Sequence, residues 1–123
     1  MTDRVRIGET DLVLGEPVPR PVEWIGRREL LDQLLACWTM VTDDDLALCP
    51  RIVGRPGMGK TTLAQAAGRA MGRDVYITQC TMDTRPEDLL VTPGLSTQGA
   101  IAYHASPLVT AMIRGGVAVL DEA

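Results

Sequence analysis

Residues 54–61 constrain this chain more than any other feature, because they fit the spacing G-x-x-x-x-G-K-[ST] at every defined position. The segment follows a short apolar stretch and precedes a helical pattern, which is the context that this spacing requires. Glycines let backbone N–H groups curl around an anion, and the start of the next helix adds unpaired donors. The residues that we assign to phosphate binding are Gly54, Arg55, Pro56, Gly57, Met58, Gly59, Lys60, Thr61 and Thr62.

Lys60 is the only lysine among the 12 basic residues of the chain, the others being arginine. Lysine carries a compact ammonium group on a flexible stem, which can reach between phosphate oxygens. We predict that Lys60 contacts the β- and γ-phosphates and that the Thr61 hydroxyl coordinates Mg²⁺. The alternative is a glycine-rich turn that binds nothing.

A run of four apolar residues, 117–120, ends in Asp121 and Glu122. Such a run is typical of a strand buried on both faces of a parallel sheet, and open α/β sheets bind ligands at the carboxyl ends of such strands. We predict that Asp121 holds the magnesium ion. Glu122 is placed to orient and polarise the attacking water as a general base. The alternative is a strand that ends in a solvated acidic turn.

The rest of the chain predicts alternating strands and helices. We expect helices over residues 28–41, 60–71 and 107–114, a helix start at 85–88, strands over 51–53, 74–80 and 117–120, and a loop or short hairpin over 92–105. This order predicts an α/β sandwich. Residues 1–21 are polar and proline-rich, and we interpret them as an extended arm with a short strand near 11–14. Residues 22–123 form the second region.

Composition narrows the function classes. A chain of 123 residues is about the size of one domain, and its net charge of −4 argues against a general grip on nucleic acid. The apolar runs are too short to span a membrane, and the N-terminus lacks the pattern of a signal peptide. The three cysteines show no metal-ligand spacing, so we expect buried thiols. We therefore predict a soluble cytoplasmic protein without a membrane segment.

Together the two motifs resemble the Walker A and Walker B motifs of the AAA+ ATPases, which belong to the P-loop NTPases. The resemblance implies a three-layer parallel sheet with flanking helices. The segment 24–27 is similar to the adenine-side segment of that family, so Ile25 and Gly26 would line the adenine pocket. Residues 84–90 and 113–117 look most like the MoxR and dynein-related branch. That branch implies an inserted segment near 92–105 that projects into the pore of a ring.

The resemblance implies an enzyme that binds and hydrolyses ATP with Mg²⁺, with Lys60 and Glu122 as catalytic residues. It also implies a homo-oligomeric ring, a hexamer, that remodels or matures a partner protein. The alternative is a nucleotide-binding module or switch without effective hydrolysis. A GTPase is disfavoured because the chain has no Asn-Lys-x-Asp segment. A nucleotide kinase stays open, although the acidic pair fits hydrolysis better.

The sequence departs from this family in one respect. In AAA+ ATPases a strand with a polar sensor lies between the strands of the two motifs, and the arginine finger and helical lid follow later. None of them occurs within these 123 residues. We therefore expect residues 22–123 to be the N-terminal part of an ATPase core, C-terminally truncated and only marginally stable. Lack of the arginine finger alone would lower turnover by ~10³–10⁵-fold.

Overall fold

The computed structural model describes residues 3–19 and 24–122. Its helices and strands are β1 Arg4–Ile7, β2 Thr10–Val13, α1 Arg28–Trp38, α2 Lys60–Ala70, β3 Val75–Gln79, β4 Val91–Leu95, β5 Ile101–Ala105, α3 Pro107–Arg114 and β6 Val117–Asp121, with a 3₁₀ turn at Pro86–Leu89. These elements form two compact units. One contains residues 1–19 and 73–123, and the other contains residues 20–72.

The unit of residues 1–19 and 73–123 contains two sheets. A four-stranded sheet has the order β1-β2-β5-β4, in which β2 and β5 are parallel and the outer pairs are antiparallel. A two-stranded sheet pairs β3 with β6 in parallel, from Val75 opposite Val117 to Gln79 opposite Asp121. The described residues thus contain a parallel β3–β6 pair and a separate mixed sheet, and the three-layer arrangement that the resemblance implies stays a prediction. The two hairpins pair with each other instead of extending the β3–β6 ladder.

The N-terminal residues form a hairpin rather than an isolated extended segment. β1 and β2 are joined through Gly8, whose φ of +62° suits a residue without a Cβ. The short strand expected near residues 11–14 is β2. The Asp3 carboxylate accepts a hydrogen bond of 2.8 Å from Nε of Arg114 at the end of α3. The functional division between an arm of residues 1–21 and a core of residues 22–123 stays a prediction.

A buried hydroxyl network joins this hairpin segment to α3. The Thr110 side chain is fully buried, and its Oγ1 accepts the backbone N–H of Gly15 at 2.9 Å while donating to the carbonyl of Ser106. Ser106 caps α3 by accepting the N–H of Val109 at 3.1 Å, and its hydroxyl donates to the carbonyl of Leu89 at 2.7 Å. Two hydroxyl groups thus satisfy backbone groups from three separate segments of the unit.

Replacing Thr110 by Val keeps the shape of the side chain but leaves the N–H of Gly15 without its acceptor. An unmade buried hydrogen bond costs about 1–3 kcal/mol, so we expect the free energy of unfolding to fall by that amount. Urea denaturation measures it. The matched control is Thr92→Val, at an exposed β4 position with the same change of side chain. Equal stability of the two variants would contradict the importance of the network.

The unit of residues 20–72 is built on two helices. Leu31 and Leu34 of α1 pack with Leu63 and Ala67 of α2, as the three-to-four apolar spacing predicts. α1 ends at Trp38, earlier than the expected residue 41. Beyond it, the acidic residues 43–45 are mainly solvated, as expected for a loop between elements.

Asp45 organises this loop. Its Oδ2 accepts the backbone N–H groups of Val41 at 2.8 Å and Thr42 at 2.9 Å. These hydrogen bonds hold the pKa of the Asp45 carboxyl below its ordinary value, those to Thr42 and Val41 being the main cause. The acidic residue therefore acts as a local cap for the turn.

The expectation of a strand over residues 51–53 is wrong, because these residues form an irregular segment in the structure. Ile52 packs against the cluster of α1 and α2, but Val53 is 78% exposed and Arg51 is exposed. Pro50 offers no N–H at the start of the segment. A strand also needs a neighbour for its backbone hydrogen bonds, and no ladder involves residues 51–53 in the described part of the chain.

Three further expectations concern the cysteines, a membrane segment and residues 92–105. Cys80 is buried as expected, whereas Cys37 is half-buried and Cys49 is exposed, so the expectation of buried thiols is wrong for Cys49. Among the described residues, no helix combines the length and the apolar character that a membrane crossing requires. The segment 92–105, expected to be a loop or a short hairpin, is the hairpin of β4 and β5.

Candidate functional site

The glycine-rich loop between the extended chain and α2 is tightly curved. Gly57 and Gly59 have φ values of +80° and +85°, in the left-handed region that favours glycine. The N–H of Met58 bonds the carbonyl of Arg55 at 3.3 Å, which closes a turn within the loop. These positive dihedrals explain why two glycines occur one residue apart in the motif.

Lys60 is the first residue of α2, and its side chain reaches back over the loop. Its Nζ donates to the carbonyl of Gly54 at 2.7 Å, and a Cβ on Gly54 would lie 3.7 Å from the Lys60 stem. The ammonium group is therefore held at the mouth of the loop, beside a residue that precedes Lys60 by six positions. Thr61 and Thr62 follow in the first turn of α2 and are both half-buried.

The start of α2 has the donors that an anion needs. Gly59 precedes the helix and no side-chain cap is made there, and the first turn carries no acidic side chain. A helix N-terminus of this kind favours a bound anion through its backbone N–H groups and its dipole. With the Lys60 ammonium beside it, the loop fits a polyphosphate. Arg55, Pro56 and Met58 are exposed.

Residues 24–27, which the resemblance predicts to lie on the adenine side, approach this loop within the same unit. Ile25 is 89% exposed, whereas Trp24 is partly buried against the cluster of α1 and α2. A Cβ on Gly59 would meet the Trp24 ring at 3.1 Å, and a Cβ on Gly26 would meet it at 2.6 Å. The structure thus places residues 24–26 at the end of the loop. The indole ring of Trp24 makes the approach to Gly59, whereas Ile25 is exposed.

The acidic pair ends the strand β6 in the other unit. Asp121 lies opposite Gln79 in the parallel ladder, and its carbonyl accepts the N–H of Cys80 at 2.8 Å. Asp121 is half-buried, and Glu122 is exposed. Glu122 has a φ of +57°, the only positive value for a non-glycine residue in the described part of the chain. Such a conformation is uncommon for a residue with a Cβ and is concentrated at functional sites.

The carboxylate of Asp121 suits magnesium, which prefers oxygen ligands such as carboxylates and phosphates. Within residues 3–19 and 24–122, no three His, Cys, Asp or Glu side chains converge as a metal cluster. Magnesium in nucleotide enzymes takes one or two protein ligands and completes its shell with substrate oxygens and water. The loop belongs to one compact unit and the acidic pair to the other.

Both motifs lie within a segment that matches a known protein family. The family model for the AAA domain, dynein-related subfamily, matches residues 51–123. The chain belongs to this AAA domain family. Searches of curated proteins and of solved structures find no match. The match covers both motifs and confirms the AAA+ resemblance at the level of the family, which has the P-loop NTPase fold.

AAA domains are in general ATPases that bind ATP with Mg²⁺ and often assemble as rings. ATP binding and hydrolysis are accordingly the general activity of the family to which this chain belongs. The roles of the individual residues stay predictions. Three features of this AAA domain have no signal in the sequence: the contact of Trp24 with Gly59, the bond from Cys80 to Asp121, and the positive φ of Glu122.

Proposed function

We propose that this AAA domain binds ATP at residues 54–61 and hydrolyses it with the help of Asp121 and Glu122. The observation that carries the proposal is the Lys60 ammonium, held 2.7 Å from the carbonyl of Gly54 at the mouth of a loop with two left-handed glycines. An ammonium group in this place neutralises charge on an incoming triphosphate. Its hydrogen bond to one neutral carbonyl is then replaced by stronger hydrogen bonds to anionic phosphate oxygens.

Each residue has a distinct part in the reaction. The backbone N–H groups of the loop and of the first turn of α2 hold the phosphates, and Lys60 stabilises negative charge on the β- and γ-oxygens. Thr61 and Asp121 would hold Mg²⁺. When bound, this ion neutralises charge on the phosphate oxygens during transfer. Glu122 orients a water molecule and withdraws its proton as the water attacks phosphorus. Ile25 and Gly26 contact the adenine.

The exposure of Glu122 supports its part. The Glu122 carboxylate is exposed to solvent directly after a strand whose first four side chains are apolar, so it is accessible to a water nucleophile. Its left-handed backbone turns the chain sharply just after Asp121. Consecutive residues of a strand point to opposite faces, so such a turn changes the direction that the second carboxylate takes.

We also propose the finer assignments. The module is of the MoxR kind, it works in the cytoplasm as a six-membered ring, and it remodels or matures a partner protein. Residues 84–90 and 113–117 resemble that branch, and the hairpin of β4 and β5 lies where the branch is expected to carry its inserted segment. In the assembled ATPase, the parallel pairing of β3 and β6 is part of the three-layer sheet.

Calorimetric titration with ATP tests the proposed function. We expect saturable binding of one ATP per chain in the presence of Mg²⁺ and weaker binding when EDTA removes the ion. GTP serves as the control nucleotide and should compete poorly. A folded protein that takes up no ATP at saturating Mg²⁺ would contradict the proposal.

A further inference from the structure

The indole ring of Trp24 lies close to two glycines, Gly26 and Gly59. A Cβ on Gly26 would come within 2.6 Å of Cζ2, and a Cβ on Gly59 would come within 3.1 Å of Cζ3, both atoms of the six-membered ring. Distances this short leave no room for another side chain at either position without movement of the ring. Trp24 Nε1 also donates to the carbonyl of Arg27 at 3.4 Å. The ring therefore contacts two backbone segments closely.

Gly59 is the residue of the phosphate loop that the Trp24 ring approaches. Its carbonyl accepts the N–H of Leu63 at 2.8 Å, the first hydrogen bond of α2. It directly precedes Lys60, and its φ of +85° sets the direction in which the loop enters the helix. A displacement of Gly59 would therefore move the peptide that leads into Lys60.

The same ring is also held by apolar contacts. Trp24 packs against the buried cluster of α1 and α2, which contains Leu31, Leu34, Leu63 and Ala67. Buried aromatic rings contribute large contact areas and have few rotatable bonds, so they hold their neighbours firmly. Trp24 thus transmits the rigidity of the helix pair to the last residue of the loop.

We propose that Trp24 is a positioning residue for the phosphate loop: its indole ring fixes Gly59, and with it Lys60, in the conformation that accepts a triphosphate. This inference rests on the proposed function, because it assigns Trp24 a part in nucleotide binding. The ring does not itself contact the phosphates. It also links the loop to residues 24–27, so that occupation of the loop changes the surroundings of the indole.

The first test uses affinity, with Trp38 as the matched control. Trp38 packs against the same cluster but has no contact with Gly59. We expect Trp24→Ala to weaken MgATP binding about tenfold, whereas Trp38→Ala leaves the affinity of the folded protein within about twofold of the wild type. Trp24→Phe, which keeps an aromatic ring, should restore most of the affinity. Equal affinities of Trp24→Ala and Trp38→Ala would overturn the inference.

The second test uses the fluorescence of the two tryptophans in the 123-residue chain. Trp38→Phe leaves Trp24 as the only indole, and Trp24→Phe leaves Trp38. MgATP should change the emission of the first variant with the same midpoint as the calorimetric titration, and it should leave the second unchanged. Binding of MgATP without any change in Trp24 emission would contradict the link, yet it would leave the proposed ATP binding intact. Absence of binding itself would remove both.

A third comparison tests the contact without nucleotide. Gly57 and Gly59 share a positive φ, but only a Cβ on Gly59 would meet the Trp24 ring, because nothing lies within 4 Å of the Gly57 position. Gly57→Ala therefore measures backbone strain alone. Gly59→Ala should lower the urea midpoint further, and this excess should disappear in a Trp24→Ala background. Equal midpoints for the two glycine variants would show that the ring does not hold the loop.

Discussion

Replacement of Glu122 by Gln is expected to lower ATP turnover by about 10²–10⁴-fold while ATP remains bound. The amide has the size and shape of the carboxylate, so the exposed position and the φ of +57° are preserved. It cannot take the proton of the attacking water, so the bound nucleotide persists. Phosphate release and retention of radiolabelled ATP measure the two effects.

The matched control for this replacement is Glu87→Gln. Glu87 is an exposed acidic residue in the 3₁₀ turn, and its replacement removes the same charge at a different place. Its turnover should equal that of the wild type. If Glu122→Gln also turns over ATP at the wild-type rate, Glu122 is not the general base. If neither protein hydrolyses ATP, the alternative of a nucleotide-binding switch is supported.

Replacement of Lys60 by Ala is expected to weaken MgATP binding about 30-fold or more, because loss of a hydrogen-bonded charge partner costs roughly 2–5 kcal/mol. The variant loses the ammonium group that lies 2.7 Å from the carbonyl of Gly54. Lys60→Arg should also bind weakly, since a planar guanidinium does not fit where a compact ammonium reaches between oxygens. Calorimetry of each folded variant measures the affinities.

Arg69→Ala provides the control for charge. Arg69 is an exposed residue in the last turn of the same helix, so its replacement removes one positive charge far from the loop. Its affinity for MgATP should match that of the wild type. Unchanged uptake by Lys60→Ala would contradict the assigned role, and equal losses in the two variants would indicate a general effect of charge rather than a contact with phosphate.

The sequence predicts those elements whose causes are local. The expected helix over residues 107–114 is α3, because Ser106 caps its start and Gly115, with a φ of +73°, ends it. The expected strands near β3 and β6 follow from short apolar runs, which indicate burial without any knowledge of the neighbouring strand. Helix caps and short apolar runs can be predicted because each depends on only a few adjacent residues.

Pairing between distant segments could not be predicted in the same way. Nothing in the local spacing indicates that β2 lies beside β5, because the paired residues Leu12 and Tyr103 are about ninety positions apart in the sequence. Residues 51–53 show the converse, because an apolar segment does not become a strand without a neighbour. The glycine-rich motif predicts the curved loop and the reach of Lys60. The approach of Trp24 to Gly59 depends on tertiary packing, which the spacing of residues does not encode.

The parallel pairing of β2 with β5 sets an order of events during synthesis. Leu12 leaves the ribosome about ninety residues before Tyr103, which corresponds to roughly 5–18 s of translation at typical rates. The unit of residues 20–72 is continuous in the chain and is complete long before that time. The N-terminal hairpin must therefore wait for its neighbour with the β2 edge unpaired, and unpaired strand edges of this kind promote aggregation.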